Sequence, residues 1–345
     1  MEGCSLPDKR SDRVVLEANL AYWDSARFPR LQRIIFDNTL SQKEAVELVK
    51  TGAGRVDLVT GLSPLETLRV AQSPFAAVVK NRGALVTVFG QFNMRKTGSP
   101  WHDVRLRQAV NYAINRDDLI RYATKGNGEI IPALIPIRGY GYDPDLAPYA
   151  FDPTTARRLL QEAGYAAGLS LTLIASEDLA VQATVVSKML EQVGFQVDLQ
   201  VLDPSAYNRK TDLSHLDQPA EQQPWDMALR SFFDRPNFPV LWFYHNFAVD
   251  GPNDWVNEQP ELRQLYAQVL SSVDREQQQA LIRQMERHSR DHAYFLFLYN
   301  PIGLSAANKA VQFVPYVSPL LNLIETSVTE EHWSVREAQK ASARE

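Results

Sequence analysis

The sequence holds a single cysteine, Cys4, in 345 residues. An internal disulfide and a cysteine metal cluster are both excluded, and so low a cysteine content fits either side of a membrane. Positive charge is not in excess: 36 Lys and Arg face 41 Asp and Glu, for a net charge of -5, and no basic stripe is present to neutralise phosphates. Nucleic acid is therefore not expected as a partner. Long apolar runs are missing too. The longest, near Phe238 to Val249, is broken by His245 and Asn246 and falls short of the ~20 residues that a membrane-crossing helix needs, so no membrane insertion is expected. Met1-Glu2-Gly3-Cys4 is followed by no apolar run behind a positive segment, so neither a secretion signal nor a lipoprotein signal is read there. There is no internal repeat and no low-complexity tract.

Catalytic motifs are equally scarce. Gly52-Ala53-Gly54 lacks the third glycine and the Lys-Ser/Thr of a phosphate-binding loop, and no Gly-x-Ser-x-Gly elbow marks a nucleophile. His288 and His292 stand four apart, the spacing at which two imidazoles on one helix can share a zinc. Neither the Glu of His-Glu-x-x-His nor a third ligand accompanies them, so a solvated helix face is the plainer reading. Carboxylates are numerous, but none is paired in a setting that suggests acid–base work. These absences predict a protein that is not an enzyme and has no resident metal or cofactor.

What is present describes a globular chain, 45% hydrophobic and 22% charged. Its length exceeds the roughly 250 to 300 residues at which one core splits, so two lobes are expected. The most informative stretch runs from Asn93 to Tyr165. Asp103 can cap a helix by accepting the unpaired N–H groups that follow it. Leu106, Val110, Ala113 and Ile114 then share one face, while Arg105, Arg107, Asn111 and Asn115 fall elsewhere. Asp152-Pro153 repeats the start signal, and Gly164 can take the left-handed conformation that stops the second helix.

Upstream, strand Arg33 to Phe36, a helix around Ala45 to Val49 and strand Val56 to Val59 read as a βαβ crossover. Phe75 to Val79 and Leu85 to Phe89 flank Asn81-Arg82-Gly83 as a hairpin, which would make one mixed sheet. Downstream, strand Leu169 to Ile174, a helix from about Asp178 to Val193 stopped by Gly194, and strand Phe195 to Leu202 form a parallel pair. A strand is predicted at Trp225 to Phe232, a helix from Leu262 to His292, a strand at Tyr294 to Tyr299, and a polar, fraying tail from Thr326 to Glu345.

Taken together, these residues resemble the family 5 extracellular solute-binding proteins, the oligopeptide, dipeptide and nickel-binding receptors of bacterial ABC importers. Asn93-Met94, Pro100-Trp101 and Asp103 through Arg116 are similar to the family's "N-T, P-F, D-x-R-V-R-Q-A-L-x-Y-A-I-D-R". Phe151-Asp152-Pro153 with Ala156 resembles its "Y-D-P-x-x-A", and Glu162 through Tyr165 its "E-A-G-Y". Ala18-Asn19 with Tyr22-Trp23, Leu31 to Asp37, Gly54-Arg55-Val56-Asp57 and Phe313-Val314-Pro315 extend the likeness over nearly the whole chain. The resemblance implies an α/β, two-lobed periplasmic-binding-protein-like fold (class II type), with mixed sheets flanked by helices. Residues 1–125 would be part of the first lobe, 126–310 the other lobe with its ferredoxin-like α/β sheet, and 311–345 a return to the first lobe and a polar tail. Family members carry a secretion signal and a first segment of lobe one before the Asn-x-x-Tyr-Trp element, which here lies within the first twenty-odd residues. The chain therefore reads as N-terminally truncated, with the first lobe incomplete.

The same resemblance places ligand-binding residues in Trp225 to Asp234. In the peptide-binding branch a strand here leads into "G-W-x-x-D", whose Asp pairs with the ligand's ammonium; Phe232 would stand at the Trp position and Asp234 at the Asp position. Ser231 replaces the Gly and the following loop is short, so a turn-capping role for Asp234 stays open. Arg230 either meets a ligand carboxylate, faces solvent or pairs with Asp226. Phe233 and Trp242 belong to an aromatic cluster that either lines a cleft or packs a core. The implied function is that of an importer's binding component. It would close two lobes by a hinge on a peptide or other small solute, in the periplasm or outside the cell, and deliver that solute to ABC permease subunits. The alternative is a truncated remnant that acts only as an interaction module or is inactive.

Overall fold

The structure is a computed structural model that describes residues 12–24, 28–52, 54–234, 240–248, 251–256, 259–318 and 320–342, without the side chains of 240–242 and 342. The chain forms two compact units: Met1–Arg82 with Gly303–Tyr316 and Leu320–Glu345, and Gly83–Ile302 with Val317–Pro319. The division falls after Arg82, whereas residue 125, the boundary read from the sequence, is the C-cap of a helix inside the second unit.

In the first unit, β1 (Arg13–Glu17) pairs antiparallel with β2 (Arg33–Asp37) in a sheet of those two strands. Helices α1 (Gln42–Val49) and α2 (Pro64–Ala71) each begin with a Ser-x-x-Glu capping box. At the first, the Ser41 hydroxyl accepts the Glu44 N–H while the Glu44 carboxylate accepts the Ser41 N–H at 2.9 Å, satisfying two otherwise orphaned donors. Strands β3 (Leu58–Thr60) and β4 (Ala76–Asn81) flank β11 (Gly303–Asn308) in an antiparallel three-stranded sheet. Short strands β12 (Val311–Gln312) and β13 (Ser327–Val328) pair, and α11 (Trp333–Ser342) follows. The tail from Thr326, expected to fray, carries regular elements at Ser327–Val328 and Trp333–Ser342. Asp57 holds it, accepting from His332 Nε2 at 3.1 Å and from the Trp333 indole at 3.2 Å.

Two pairings expected in this region are not formed. β2 and β3 lie in different sheets, so there is no βαβ crossover, and β4 and β5 (Val86–Phe92) also part company, so there is no hairpin at Asn81-Arg82-Gly83. Alternation and β-branching identify strands, but partner choice is a tertiary matter: β4 takes β11, more than two hundred residues later.

The second unit is built on a six-stranded mixed sheet in the order β6-β10-β5-β9-β7-β8. Here β6 is Gly128–Ile130, β7 Leu169–Ser176, β8 Phe195–Leu202, β9 Met227–Phe233 and β10 Phe295–Pro301. β7 runs parallel to β8 and to β9, as the single helix α6 (Ala180–Val193) between β7 and β8 requires, and Gly194 ends that helix at φ +113. The other pairings are antiparallel. Every residue of β5 is buried, and Phe89 meets Phe295 edge-on at 5.5 Å in the core.

Helices α3 (Val104–Ala113), α4 (Arg116–Thr124) and α5 (Pro153–Glu162) surround this core. Asp103 and Asp152 cap as expected, and Gly164 sits at φ +93. Asn115 does not extend α3 but caps α4. Arg107 and Asn111, read from periodicity as outside the apolar face, are buried, as is Arg116. Arg107 donates to the carbonyls of His292 at 2.7 Å and Ala293 at 3.2 Å, and Arg116 to those of Phe297 at 2.7 Å and Tyr149 at 3.2 Å. A guanidinium can sit inside because its fork of donors is satisfied by several carbonyls at once. The predicted helix from Leu262 to His292 is two helices, α9 (Pro260–Ser271) and α10 (Arg275–Asp291), because Asp274 starts a new one. Helices α7 (Pro204–Thr211) and α8 (Val240–Phe247) complete the unit.

Candidate functional site

Strand β9 enters the core with Met227, Ala228 and Leu229 fully buried and emerges through Arg230, Ser231 and Phe232 to an exposed Phe233. Trp225, just before it, is a core residue. Its ring meets Trp255 at 4.6 Å and its indole N–H reaches the Lys210 carbonyl. Asp226 is engaged by Lys96 Nζ at 2.7 Å and by the Thr172 amide at 2.8 Å, which removes it as a partner for Arg230.

Arg230 neither faces open solvent nor forms an ion pair among the described residues. Its guanidinium donates to Gln91 Oε1 at 2.7 Å, Asn253 Oδ1 at 2.6 Å and the Thr211 carbonyl at 3.3 Å, all neutral acceptors. Burial holds its pKa below the ordinary arginine value, and a guanidinium stays protonated in proteins. The arrangement is a fixed cation oriented by three neutral groups. The nearby His245 is pushed down by burial first and then by Arg230, which favours the neutral imidazole.

Beside Arg230 lies a hollow of about 200 Å³, lined also by Ser176, Asp178, Tyr207, Asn208 and Ser231. Tyr207 is fixed by donating its hydroxyl to the Leu229 carbonyl at 2.7 Å. Burial pushes that phenol up to about 12, so it stays protonated. Arg230 and Asp178 thus both border the hollow, residues of the two charges that a small zwitterion would need. Gln91, Asn253 and Asp178 were not singled out from the sequence. Gln91 did carry a signal, as an amide in the middle of a buried strand, where a polar side chain needs a partner.

The other expected residues fall into three groups. Asp234 is buried, and its amide extends the β5–β9 pairing to the Leu85 carbonyl at 2.9 Å, but it does not line this hollow. Phe232 is half-buried with its ring 6.1 Å from His245, and Phe233 is 48% exposed, so Phe233 is not core packing. Trp242 lies in α8, but its side chain is outside the described residues. His288 and His292 stack on each other at 4.1 Å, and among the described residues no group of three or more His, Cys, Asp or Glu gathers to hold a metal. No helix among them is long and apolar enough to cross a membrane.

Comparison with known proteins gives a consistent picture. The glutathione-binding protein GsiB of Pectobacterium atrosepticum is 25% identical over 336 residues, 93% of this chain and 62% of that protein. Among solved structures, the ABC transporter-associated periplasmic binding protein DppA from Helicobacter pylori, in complex with the peptide STSA, superposes with a TM-score of 0.72 at 19% identity, over 93% of this chain and 61% of that one. NikA from Brucella suis, in complex with Fe(III)-EDTA, superposes with a TM-score of 0.77 at 22% identity, over 93% of this chain and 66% of that one. These likenesses show the periplasmic-binding-protein α/β fold, and the chain spans about three-fifths of the length of those proteins. The family description "Bacterial extracellular solute-binding proteins, family 5 Middle" matches residues 8–254. With well over half its length so matched, the chain belongs to the family 5 bacterial extracellular solute-binding proteins.

Proposed function

We propose that the chain acts as the solute-binding component of an ABC importer, taking a peptide or similar small zwitterion outside the cytoplasmic membrane and handing it to a permease, without catalysis. The observation that carries this reading is Arg230, a part-buried cation held by neutral acceptors on a hollow it shares with Asp178. A cation so placed gains from a ligand carboxylate where short, well-aligned charged hydrogen bonds outweigh the cost of desolvating both partners. Asp178 or Asp234 takes the ammonium. Hinge closure of lobes on the solute is the general mode of periplasmic binding proteins and is part of this proposal by analogy.

Calorimetric titration with free di- and tripeptides, glutathione and their C-terminal amides tests the reading. Arg230→Gln is expected to weaken binding of the free acids by roughly 10- to 100-fold, the scale of a lost charged hydrogen bond, and to leave the amides unaffected. Equal affinity of the wild type for acid and amide would remove Arg230 from the site. Comparing Asp178→Asn with Asp234→Asn on N-acetylated and free peptides identifies which carboxylate binds the ammonium.

The exposed apolar ribbon of the first unit supports a second reading, in which the chain also serves as an interaction module.

A further inference from the structure

Helix α10 ends on two histidines that the hollow beside Arg230 does not use. His288 and His292 stand one turn apart there, with ring centroids 4.1 Å from each other. The solvated helix face expected from their spacing does not form. The His288 side chain is only 17% exposed, set against Glu261 of α9 and against Tyr294, while His292 remains open to solvent.

Their hydrogen bonds fix where each imidazole carries its lone pair. His292 Nδ1 lies 2.9 Å from the His288 carbonyl, which can only accept, so Nδ1 holds the proton and Nε2 is the bare nitrogen. His288 Nδ1 lies 3.4 Å from the Glu261 carboxylate, which draws the proton to that nitrogen in the same way. Its Nε2 faces the Tyr294 oxygen at 3.5 Å, but the Tyr294 hydroxyl donates its proton to Gln259 Oε1. Nitrogen and oxygen therefore face each other with lone pairs and no hydrogen between them. Neighbouring ligands ~2.1 Å from a tetrahedral zinc stand roughly 3.4 Å apart, so this gap suits a shared cation better than a hydrogen bond. Burial, and His292 after it, hold the His288 pKa below the usual histidine value, which favours the neutral imidazole that can ligate.

We propose that His288 Nε2, His292 Nε2 and the Tyr294 oxygen bind an exchangeable divalent transition-metal ion of the zinc, nickel and copper class, with water in the remaining positions. Imidazole nitrogen suits these ions, whereas magnesium and calcium take oxygen ligands. Both Nδ1–H groups rest on oxygen acceptors, one carbonyl and one carboxylate, the outer partners that orient metal-ligating histidines. Among the described residues no third His, Cys, Asp or Glu joins the pair, so the site is open, unlike a structural zinc enclosed by four protein ligands. The ion is accordingly expected to exchange with solvent and to be unnecessary for folding. The site shares no residue with the hollow, so it stands or falls apart from the solute-binding reading.

Calorimetric titration of the untagged, metal-stripped chain with Zn2+, Ni2+ and Cu2+, and with Mg2+ as the contrast, tests the proposal. One equivalent of each transition metal is expected to bind, copper most tightly, and magnesium not at all. His292→Ala changes an exposed side chain and should leave the circular dichroism spectrum intact. It is expected to weaken binding at least roughly tenfold, no less than the loss of an outer partner costs. His215→Ala removes an exposed imidazole elsewhere and should leave affinity unchanged. In the wild type, Zn2+ should shift the Nε2 nitrogen resonances of both His288 and His292. Failure of all three transition metals to bind at submillimolar concentration overturns the proposal. So does binding that survives His292→Ala, that is lost in His215→Ala, or that leaves the two Nε2 resonances unmoved.

Discussion

The two units put similar residues to different use. In the second, Val88 and Phe89 of β5 and Phe295 to Tyr299 of β10 are at most 3% exposed, in the middle of a six-stranded sheet. In the first, Val14, Val15 and Leu16 of β1 are just as apolar, yet each is more than two-fifths exposed on a two-stranded ribbon. Apolar character makes a strand; the number of neighbouring layers decides whether that strand is core or surface. The second unit is accordingly expected to be the cooperative centre of stability, and the first to tolerate change.

The largest effect should come from the second unit's polar interior. Arg116→Met strips the donors from the carbonyls of Phe297, Tyr149, Asn111 and Ile114 at once. Leaving such groups buried without partners is expected to cost about 3 to 5 kcal/mol, read as a fall in the urea midpoint of the second unit. A loss under about 1 kcal/mol would mean that this interior is as forgiving as the ribbon.

A smaller effect should be visible in pH. Glu286 is buried on α10, where one carboxylate oxygen accepts the amides of Leu134 and Ile135 at 2.8 Å each. Burial outweighs those bonds and raises the carboxyl from 4.5 to about 7. Between those values the folded chain keeps a proton that the unfolded chain has released, so stability falls as pH rises through the window. A decline on the order of 2 kcal/mol between about pH 5 and pH 8 is expected for the wild type, and Glu286→Gln should flatten it. Identical pH profiles for the two proteins would show that Glu286 does not govern this dependence.

The smallest effect should lie on the first unit. Leu68 on α2 is 60% exposed, whereas Val70 of the same helix is fully buried. Leu68→Gln is expected to change thermal stability by no more than about 0.5 kcal/mol. A larger loss would reveal that this face is covered in solution, and would narrow the contrast between the units.

Local signals in the sequence carried over well. Asp103, Asp152, Gly164 and Gly194 start or stop helices where their chemistry says they should, because capping depends on a few neighbouring atoms. The family resemblance was legible for the same reason: its motifs are runs of caps and turns. Two Ser-x-x-Glu boxes, at Ser41 and Ser63, are local signals of the same kind. Pairing and polarity were not legible. The hairpin at Asn81-Arg82-Gly83 fails because β4 and β5 each find partners far along the chain, and Arg107 is placed wrongly by periodicity because, besides the nearby Trp101 and His102 carbonyls, its acceptors include those of His292 and Ala293, from a segment 185 or more residues away.

The candidate site divides along the same line. The sequence alone placed Arg230 and Asp234 at the end of a strand, since a short apolar and aromatic run marks β9 without reference to anything distant. Only the tertiary structure decided that Arg230 is held by Gln91, Asn253 and Thr211 and shares a hollow with Asp178. Strand identity is set by local sterics and side-chain alternation, whereas the orientation and desolvation of a charge depend on atoms that only folding brings near it.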